Sequence, residues 1–247
     1  HYAAAIKAVT DLPVVAVGGI LSPEEAETIL ERGSADAVAL GRALIADPFL
    51  PYKAKHQRED EIRPCLRCLT CLNEMSRSRS VCCTVNPTSG REFRLHRQTS
   101  QPKPSLNIVV VGGGPAGMSA ALAAASSGHT VTLFEKRMEL GGLIRRTLTP
   151  AWQADTAAYI GYLDRAVRSQ SNIRLYLGVT ATPEKLAALS PQAVIVAMGS
   201  RPCGDELPGW ETSGALEVSE IYEKIHQIGR RVIVVGAGVS GCEAALF

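Results

Sequence analysis

The apolar run Val14 to Val17 is short and continuous and stops at Gly18-Gly19, which predicts a buried parallel strand rather than a half-exposed one. Ser22-Pro23-Glu24-Glu25 then predicts a helix start: Ser22 can cap, Pro23 suits the first helical position and Glu25 closes a capping box. Gly33 supplies the left-handed residue that ends this helix. Ala37 to Leu40 reads as a second buried strand, and Gly41-Arg42 opens a further helix. Strand, helix, strand and helix joined by short connections are the grammar of an α/β barrel or a doubly wound sheet.

Between Pro51 and Ser105 the periodicity disappears, and the polar stretch Gln98 to Ser105, with prolines at 102 and 104, marks a domain boundary. Beyond it, Asn107 to Val111 reads as a strand running into glycines, Met118 to Ser127 as an alanine-rich helix, and Val131 to Phe134 as a strand ending at Glu135. Ala193 to Ala197 reads as another buried strand, Val218 to Ile228 as helical, and Val232 to Val235 as the strand of a new βα unit.

Composition narrows the field. The chain has 247 residues, 46% of them apolar, and a formal charge of +2, which suits one or two ordinary globular cores and gives no reason to expect nucleic acid. No apolar run is long enough to span a bilayer, and no targeting pattern is visible. Residue 1 is His, and residue 247 falls soon after a second glycine motif; the chain reads as an internal fragment of a longer cytoplasmic protein. Of seven cysteines, five lie between residues 65 and 83, a clustering that suggests metal binding rather than a disulfide scaffold.

Two glycine fingerprints stand out, Gly112-x-Gly114-x-x-Gly117 and Gly236-x-Gly238-x-x-Gly241. Such glycines allow a tight turn and a close backbone approach, so that a helix N-terminus faces a pyrophosphate. The first has Glu135 at the end of the next strand, placed to hydrogen-bond a ribose diol. The second follows a strand-like run, with no acidic partner in view. Cys65-x2-Cys68-x2-Cys71 with Cys83 matches an iron–sulfur run better than the separated pairs usual for zinc, though both metals fit thiolate ligands. Cys82 adjoins Cys83, so spacing leaves the fourth ligand open. Gly18-Gly19 and Gly41-Arg42 end two successive strands, where backbone N–H groups and one guanidinium can hold a phosphate.

Taken in order, these residues resemble the flavin- and iron–sulfur-containing branch of the old yellow enzyme family, which includes 2,4-dienoyl-CoA reductase, 2-enoate reductases and trimethylamine dehydrogenase. The resemblance spans essentially the whole chain. It is carried by Pro13–Ile20, Ala39–Pro48, Arg63–Cys68, Cys83-Thr-Val-Asn-Pro87, Val110–Gly117, Leu140-Gly-Gly142 and Ala197-Met-Gly199. It implies FMN on a (β/α)8 barrel, with its phosphate at Gly18, Gly19, Gly41 and Arg42. It also implies a [4Fe–4S] cluster on Cys65, Cys68, Cys71 and Cys83. FAD, or ADP as in the amine dehydrogenases, is implied at Gly112, Gly114, Pro115, Ala116, Gly117, Glu135, Lys136, Gly142 and Gly199. NAD(P)H is implied at Gly236, Gly238 and Gly241. Met198 stands where many relatives have Thr.

The domains that follow are the C-terminal part of the barrel (1–54), an iron–sulfur segment and linker (55–104), the first part of an FAD-binding Rossmann-like domain with its connector (105–230), and the start of an NAD(P)-binding domain (231–247). The implied activity is NAD(P)H-dependent reduction of an activated C=C bond in a small enoate or enoyl substrate. The third cysteine follows at x2, as in trimethylamine dehydrogenase, where dienoyl-CoA reductases have x3, a departure that tells against a dienoyl substrate in particular. The alternatives are an amine dehydrogenase passing electrons to a carrier protein, which ADP in the first nucleotide site would favour, and a truncated electron-transfer remnant. No catalytic acid is assigned, and neither a nucleic acid nor a membrane partner is expected.

Overall fold

The computed structural model describes residues 2–99, 104–148, 151–200 and 208–247. The chain divides into two compact units, His1–Pro104 and Ser105–Phe247.

In the first unit, strands β1 (Val15–Val17) and β2 (Ala37–Ala39) pair in parallel, with Ala16 opposite Val38. Helix Pro23–Glu31 connects them. Its start follows the expectation from sequence: the Glu25 N–H donates to Ser22 Oγ at 3.1 Å, and the Ser22 N–H donates to Glu25 Oε2 at 3.3 Å. Gly33, at φ +61°, ends it. Val14, Ala16, Ile20 and Ala35 form a small core with Ala26, Ile29 and Val38 packed on it.

The strands are less buried than their composition suggested. Val15 is 54% and Val17 76% exposed, because only the face that meets the connecting helix is covered. A parallel sheet normally has both faces covered.

After β2, Gly41 caps helix Arg42–Ala46, and helix Leu50–Lys55 follows. The segment that lacks sequence periodicity still contains helices Thr70–Ser76 and Glu92–Thr99. It is attached to the helices before it by buried polar side chains. Asp47, 3% exposed, accepts hydrogen bonds from Lys53 Nζ at 2.6 Å, the Phe49 N–H at 3.0 Å and the Arg63 N–H at 2.8 Å. Asn86, also 3% exposed, donates from Nδ2 to the Ile45 carbonyl at 2.8 Å and accepts from the Thr88 N–H and hydroxyl.

The second unit is built on a four-stranded sheet in the order β5-β4-β3-β6, comprising β3 (Asn107–Val111), β4 (Thr130–Glu135), β5 (Ile173–Leu177) and β6 (Ala193–Val196). All its pairings are parallel. The chain moves outward from β3 to β5 and returns to the other side of β3, so the order reverses between β3 and β6. Ligands of open α/β sheets bind at the carboxyl ends of strands at such a switch point.

Helix Pro115–Ser126 packs on the sheet through Met118, Ala121, Ala124 and Ala125, and helix Ala154–Ser169 adds Ile160, Leu163 and Val167 to the same core. Central β3 and β4 bury long continuous stretches. β6 is an edge strand whose Val194 and Val196 stay 42% and 65% exposed, so the expectation of a buried strand there holds only for its other face.

One expected strand is absent. Val232–Val235 has no strand pairing, and Ile233 is 90% exposed. Apolar β-branched residues favour a strand only where neighbouring backbone supplies ladder partners. The helical expectation for 218–228 resolves into 3₁₀ turns at Val218–Glu220 and Ile225–Gln227 around a short helix, Ile221–Lys224. Among the described residues no helix is long and apolar enough to cross a membrane.

The anchoring by Asp47 gives a stability prediction. Asp47→Ala leaves the Lys53 ammonium and the Arg63 N–H without their buried acceptor and lowers the free energy of unfolding by about 3 kcal/mol. Urea unfolding checks this, and a loss below about 1 kcal/mol, the scale of an exposed pair, would count against the anchor.

Candidate functional site

The cysteine residues are gathered by two loops. In the first, Arg67 and Leu69 adopt left-handed backbone at φ +52° and +58°, a conformation that side-chain-bearing residues rarely take and that clusters at functional sites. These reversals on either side of Cys68 curl the loop from Cys65 to Cys71. The second loop carries Cys83 and is held by Asn86 and by Val85, which is 3% exposed. Cys65, Cys68, Cys71 and Cys83 all line one small cavity, together with Arg42, Ile45, Leu66, Leu69, Thr84 and Val85. Cys82 does not line it. All six described cysteines are free thiols; Cys203 lies outside the described residues.

The sulfurs differ in their surroundings. Burial pushes the Cys65 thiol pKa up, against the Arg67 N–H at 3.4 Å and the charge of Arg42. Burial also opposes ionisation of Cys68, but hydrogen bonds with the Thr70 and Thr84 hydroxyls outweigh it and leave that thiol below its ordinary range. The two hydroxyls lie 3.4 and 3.2 Å from Cys68 Sγ. Among the described residues no group of three or more His, Cys, Asp or Glu side chains converges as the ligands of a single metal ion do. The four cysteines border the same small cavity, and the soft thiol chemistry of that donor set suits iron–sulfur ligation.

Arg42 therefore faces the cysteine cavity from the turn that sequence assigned to phosphate. Gly18 and Gly19 have φ of +113° and +73° and open space where a side chain would begin, and both residues are exposed. They border a shallow open depression with Ser22, Glu24, Glu25 and Thr28. Gly41 and Arg42 do not line that depression.

In the second unit the first fingerprint forms at the switch point. Gly112 has φ +109°, and a Cβ on it would collide with the Ala197 carbonyl at the end of β6. A Cβ on Gly117 would collide with the Gly112 carbonyl, so helix and turn approach as only glycine permits. Gly114 is the N-cap and Pro115 opens the helix, with Ala116 in its first turn.

Glu135, 6% exposed, accepts the Gly113 N–H at 2.7 Å and the Arg137 N–H at 2.9 Å. The carboxylate assigned to a ribose diol thus also braces the glycine turn, and its remaining lone pairs stay available. Lys136 is exposed. The Gly141 N–H donates to the Gly113 carbonyl at 2.9 Å, which brings Gly142 against Gly114. Gly199, at φ +79°, has open space around it, and Met198 beside it is 72% exposed.

The second fingerprint repeats this backbone. Gly236 has φ +106°, and Gly238 has φ −73° and ψ 180°, against −73° and 178° at Gly114. A Cβ on Gly241 would collide with the Gly236 carbonyl. The turn and helix Val239–Leu246 therefore form without a paired strand before them.

Four contributors had no role assigned from sequence. Asp47 and Asn86 lie inside the motifs Ala39–Pro48 and Cys83–Pro87 and act at a distance in the chain. Thr70 and Thr84 adjoin Cys71 and Cys83 in the chain, and no spacing rule singles them out.

Residues 106–247, more than half of the chain, match the model of the pyridine nucleotide-disulphide oxidoreductase family. Residues 1–61 match that of the NADH:flavin oxidoreductase / NADH oxidase family. The chain is 40% identical over 254 residues to an NADH oxidase of Thermoanaerobacter brockii, covering 100% of this chain and 39% of that protein. It is 33% identical over 244 residues to a cinnamate reductase of Clostridium sporogenes, covering 98% of this chain and 36% of the other. Among solved structures, a 2-naphthoyl-CoA reductase bound to 2-naphthoyl-CoA superposes with a TM-score of 0.88 at 27% identity, over 97% of this chain and 36% of that one. The chain thus spans less than two thirds of each of these proteins. It belongs to the pyridine nucleotide-disulphide oxidoreductase family, joined to an NADH:flavin oxidoreductase segment in the pairing that defines the FMN, FAD and iron–sulfur branch of the old yellow enzymes.

Proposed function

We propose that this chain is the cofactor-linking part of an NAD(P)H-dependent flavin and iron–sulfur oxidoreductase of the ene-reductase type. The observation that carries the reading is the gathering of Cys65, Cys68, Cys71 and Cys83 around one cavity whose wall includes Arg42 of the phosphate turn. Bound in such a protein, the flavins would supply hydride chemistry and a [4Fe–4S] cluster would supply one-electron transfer between FAD and FMN, for reduction of an activated C=C bond.

The chain's own residues provide the holding groups. The four cysteines ligate the cluster. Gly18 and Gly19 offer backbone N–H groups, and Gly41 with Arg42 adds a turn and a fixed positive charge, for the FMN phosphate. Gly112, Gly114, Pro115, Ala116 and Gly117 direct a helix N-terminus at the pyrophosphate of FAD. Glu135 takes the ribose hydroxyls, while Lys136, Gly142 and Gly199 border the same end of the sheet. Gly236, Gly238 and Gly241 form the corresponding turn for NAD(P)H. Residues 1–54 belong to an FMN barrel, a reading supported by the uncovered face of Val15 and Val17; 55–104 form the iron–sulfur segment, 105–230 the FAD domain with its connector, and 231–247 open the NAD(P) domain. The substrate class is a small enoate or enoyl compound.

A second reading, an amine dehydrogenase with ADP in the first nucleotide site and an electron-carrier partner, is favoured by one feature, the Cys65-x2-Cys68-x2-Cys71 spacing. Anaerobic turnover by the complete polypeptide separates the two. NADH- or NADPH-dependent reduction of a cinnamate-type acid is the expected outcome. Oxidation of a methylated amine, with ADP extracted in place of FAD, would replace the first reading by the second.

Three substitutions test the assignments. Cys83→Ala lowers iron from about four atoms per chain to below one, whereas Cys82→Ala leaves it unchanged; iron and acid-labile sulfide analysis gives the answer. Gly117→Ala weakens retention of the adenine dinucleotide at least about tenfold, since overpacking against the Gly112 carbonyl costs about 2 kcal/mol. FMN stays bound in that variant, and equal retention of both flavins would contradict the site.

A further inference from the structure

We propose that Thr70 and Thr84 are positioning residues that set the reduction potential of the iron–sulfur centre through the sulfur of Cys68. The inference rests on the iron–sulfur reading given above. Three atoms form a closed triangle: Thr70 Oγ1 lies 3.4 Å and Thr84 Oγ1 3.2 Å from Cys68 Sγ, and the two hydroxyl oxygens are 3.1 Å apart. Thr70 begins the helix that carries Cys71, and Thr84 directly follows Cys83. The triangle therefore joins the two loops that supply the ligands.

The chemistry of the triangle depends on the state of the sulfur. A thiol can donate its own proton to one hydroxyl. A ligating thiolate has only lone pairs, so both hydroxyls turn their single protons toward it. Hydrogen bonds to ligand sulfurs are among the factors that set iron–sulfur potentials. One added electron raises the negative charge carried by the ligand sulfurs, and a donated hydroxyl proton stabilises that charge more than it stabilises the oxidised state. Both threonines thus raise the potential. No bond forms or breaks, and the only change is one electron entering.

A purely structural role is the competing account, because the same hydroxyls hold two loops together. A potential distinguishes the two, since looser loops reduce cluster loading without moving the potential of the centres that remain. The experiment is an EPR-monitored redox titration of the complete reconstituted protein, with iron and sulfide measured on each sample. Thr70→Val and Thr84→Val keep the branched shape and remove the hydroxyl, while Thr70→Ser and Thr84→Ser keep the hydroxyl. Each valine variant is expected to titrate at a lower potential than wild type. Together they shift the reduced-to-oxidised ratio about tenfold, or about 59 mV for a one-electron couple, and each serine variant returns toward wild type.

A second measurement needs no variant. In the reduced wild-type protein, transfer to deuterated water removes exchangeable-proton couplings from the ENDOR spectrum of the centre. Cluster-loaded valine variants that titrate with wild type overturn the assignment, as does a wild-type spectrum with no exchangeable coupling. A complete wild-type protein holding neither iron nor sulfide overturns instead the iron–sulfur reading beneath it.

Discussion

A stretch of chain without periodic apolar residues cannot fix its own position by burying a face, and residues 56–91 are such a stretch. Their place depends on buried polar anchors instead. Asp47 holds the backbone at Arg63, and Asn86 reaches the Ile45 carbonyl at 2.8 Å. Each anchor grips the chain just before or just after a cysteine loop, on the helical region that begins at Arg42. Buried hydrogen bonds of this kind add modest net stability when satisfied and cost much when broken. The position of all four sulfurs, and of Arg42 beside them, follows from these contacts.

Within that frame the sulfur loop is strained where it must be. Arg67 and Leu69 carry side chains at positive φ, a conformation that persists only where the surroundings over-determine it. The reward is a loop that points successive cysteines at one cavity. The hydroxyls of Thr70 and Thr84 then lie within hydrogen-bonding reach of Cys68, so the loop is held at both its backbone and its sulfur.

The nucleotide unit works by a different constraint, steric exclusion. Gly112 and Gly117 are required because backbone occupies the space a Cβ would take. Glu135 braces the turn from the next strand by accepting the Gly113 N–H, which ties the acidic residue to the shape of the loop. The same backbone at Gly236 to Gly241, with no strand paired before it, shows that this turn is encoded locally by its glycines, while a strand is not.

Local features were legible for that reason. The capping box at Ser22 and Glu25, the stop at Gly33, the strands leading to Gly112 and Glu135 and both glycine turns each depend on a few neighbouring residues, and the sequence determined them alone. Cysteine spacing likewise grouped Cys65, Cys68 and Cys71, because the three lie within one loop, and left Cys82 and Cys83 undivided. Exposure was misjudged at Val15, Val17, Val194 and Val196, since an apolar residue states a preference for burial and not whether another element covers it. Val232 to Val235 failed as a strand for the related reason that a ladder needs a partner elsewhere in the chain. Only the tertiary structure decided that Arg42 faces the cysteines, that Asp47 and Asn86 anchor the loops, and that Thr70 and Thr84 meet at Cys68. Those contacts join residues up to 41 positions apart, and no local pattern encodes a meeting that depends on how separate elements pack.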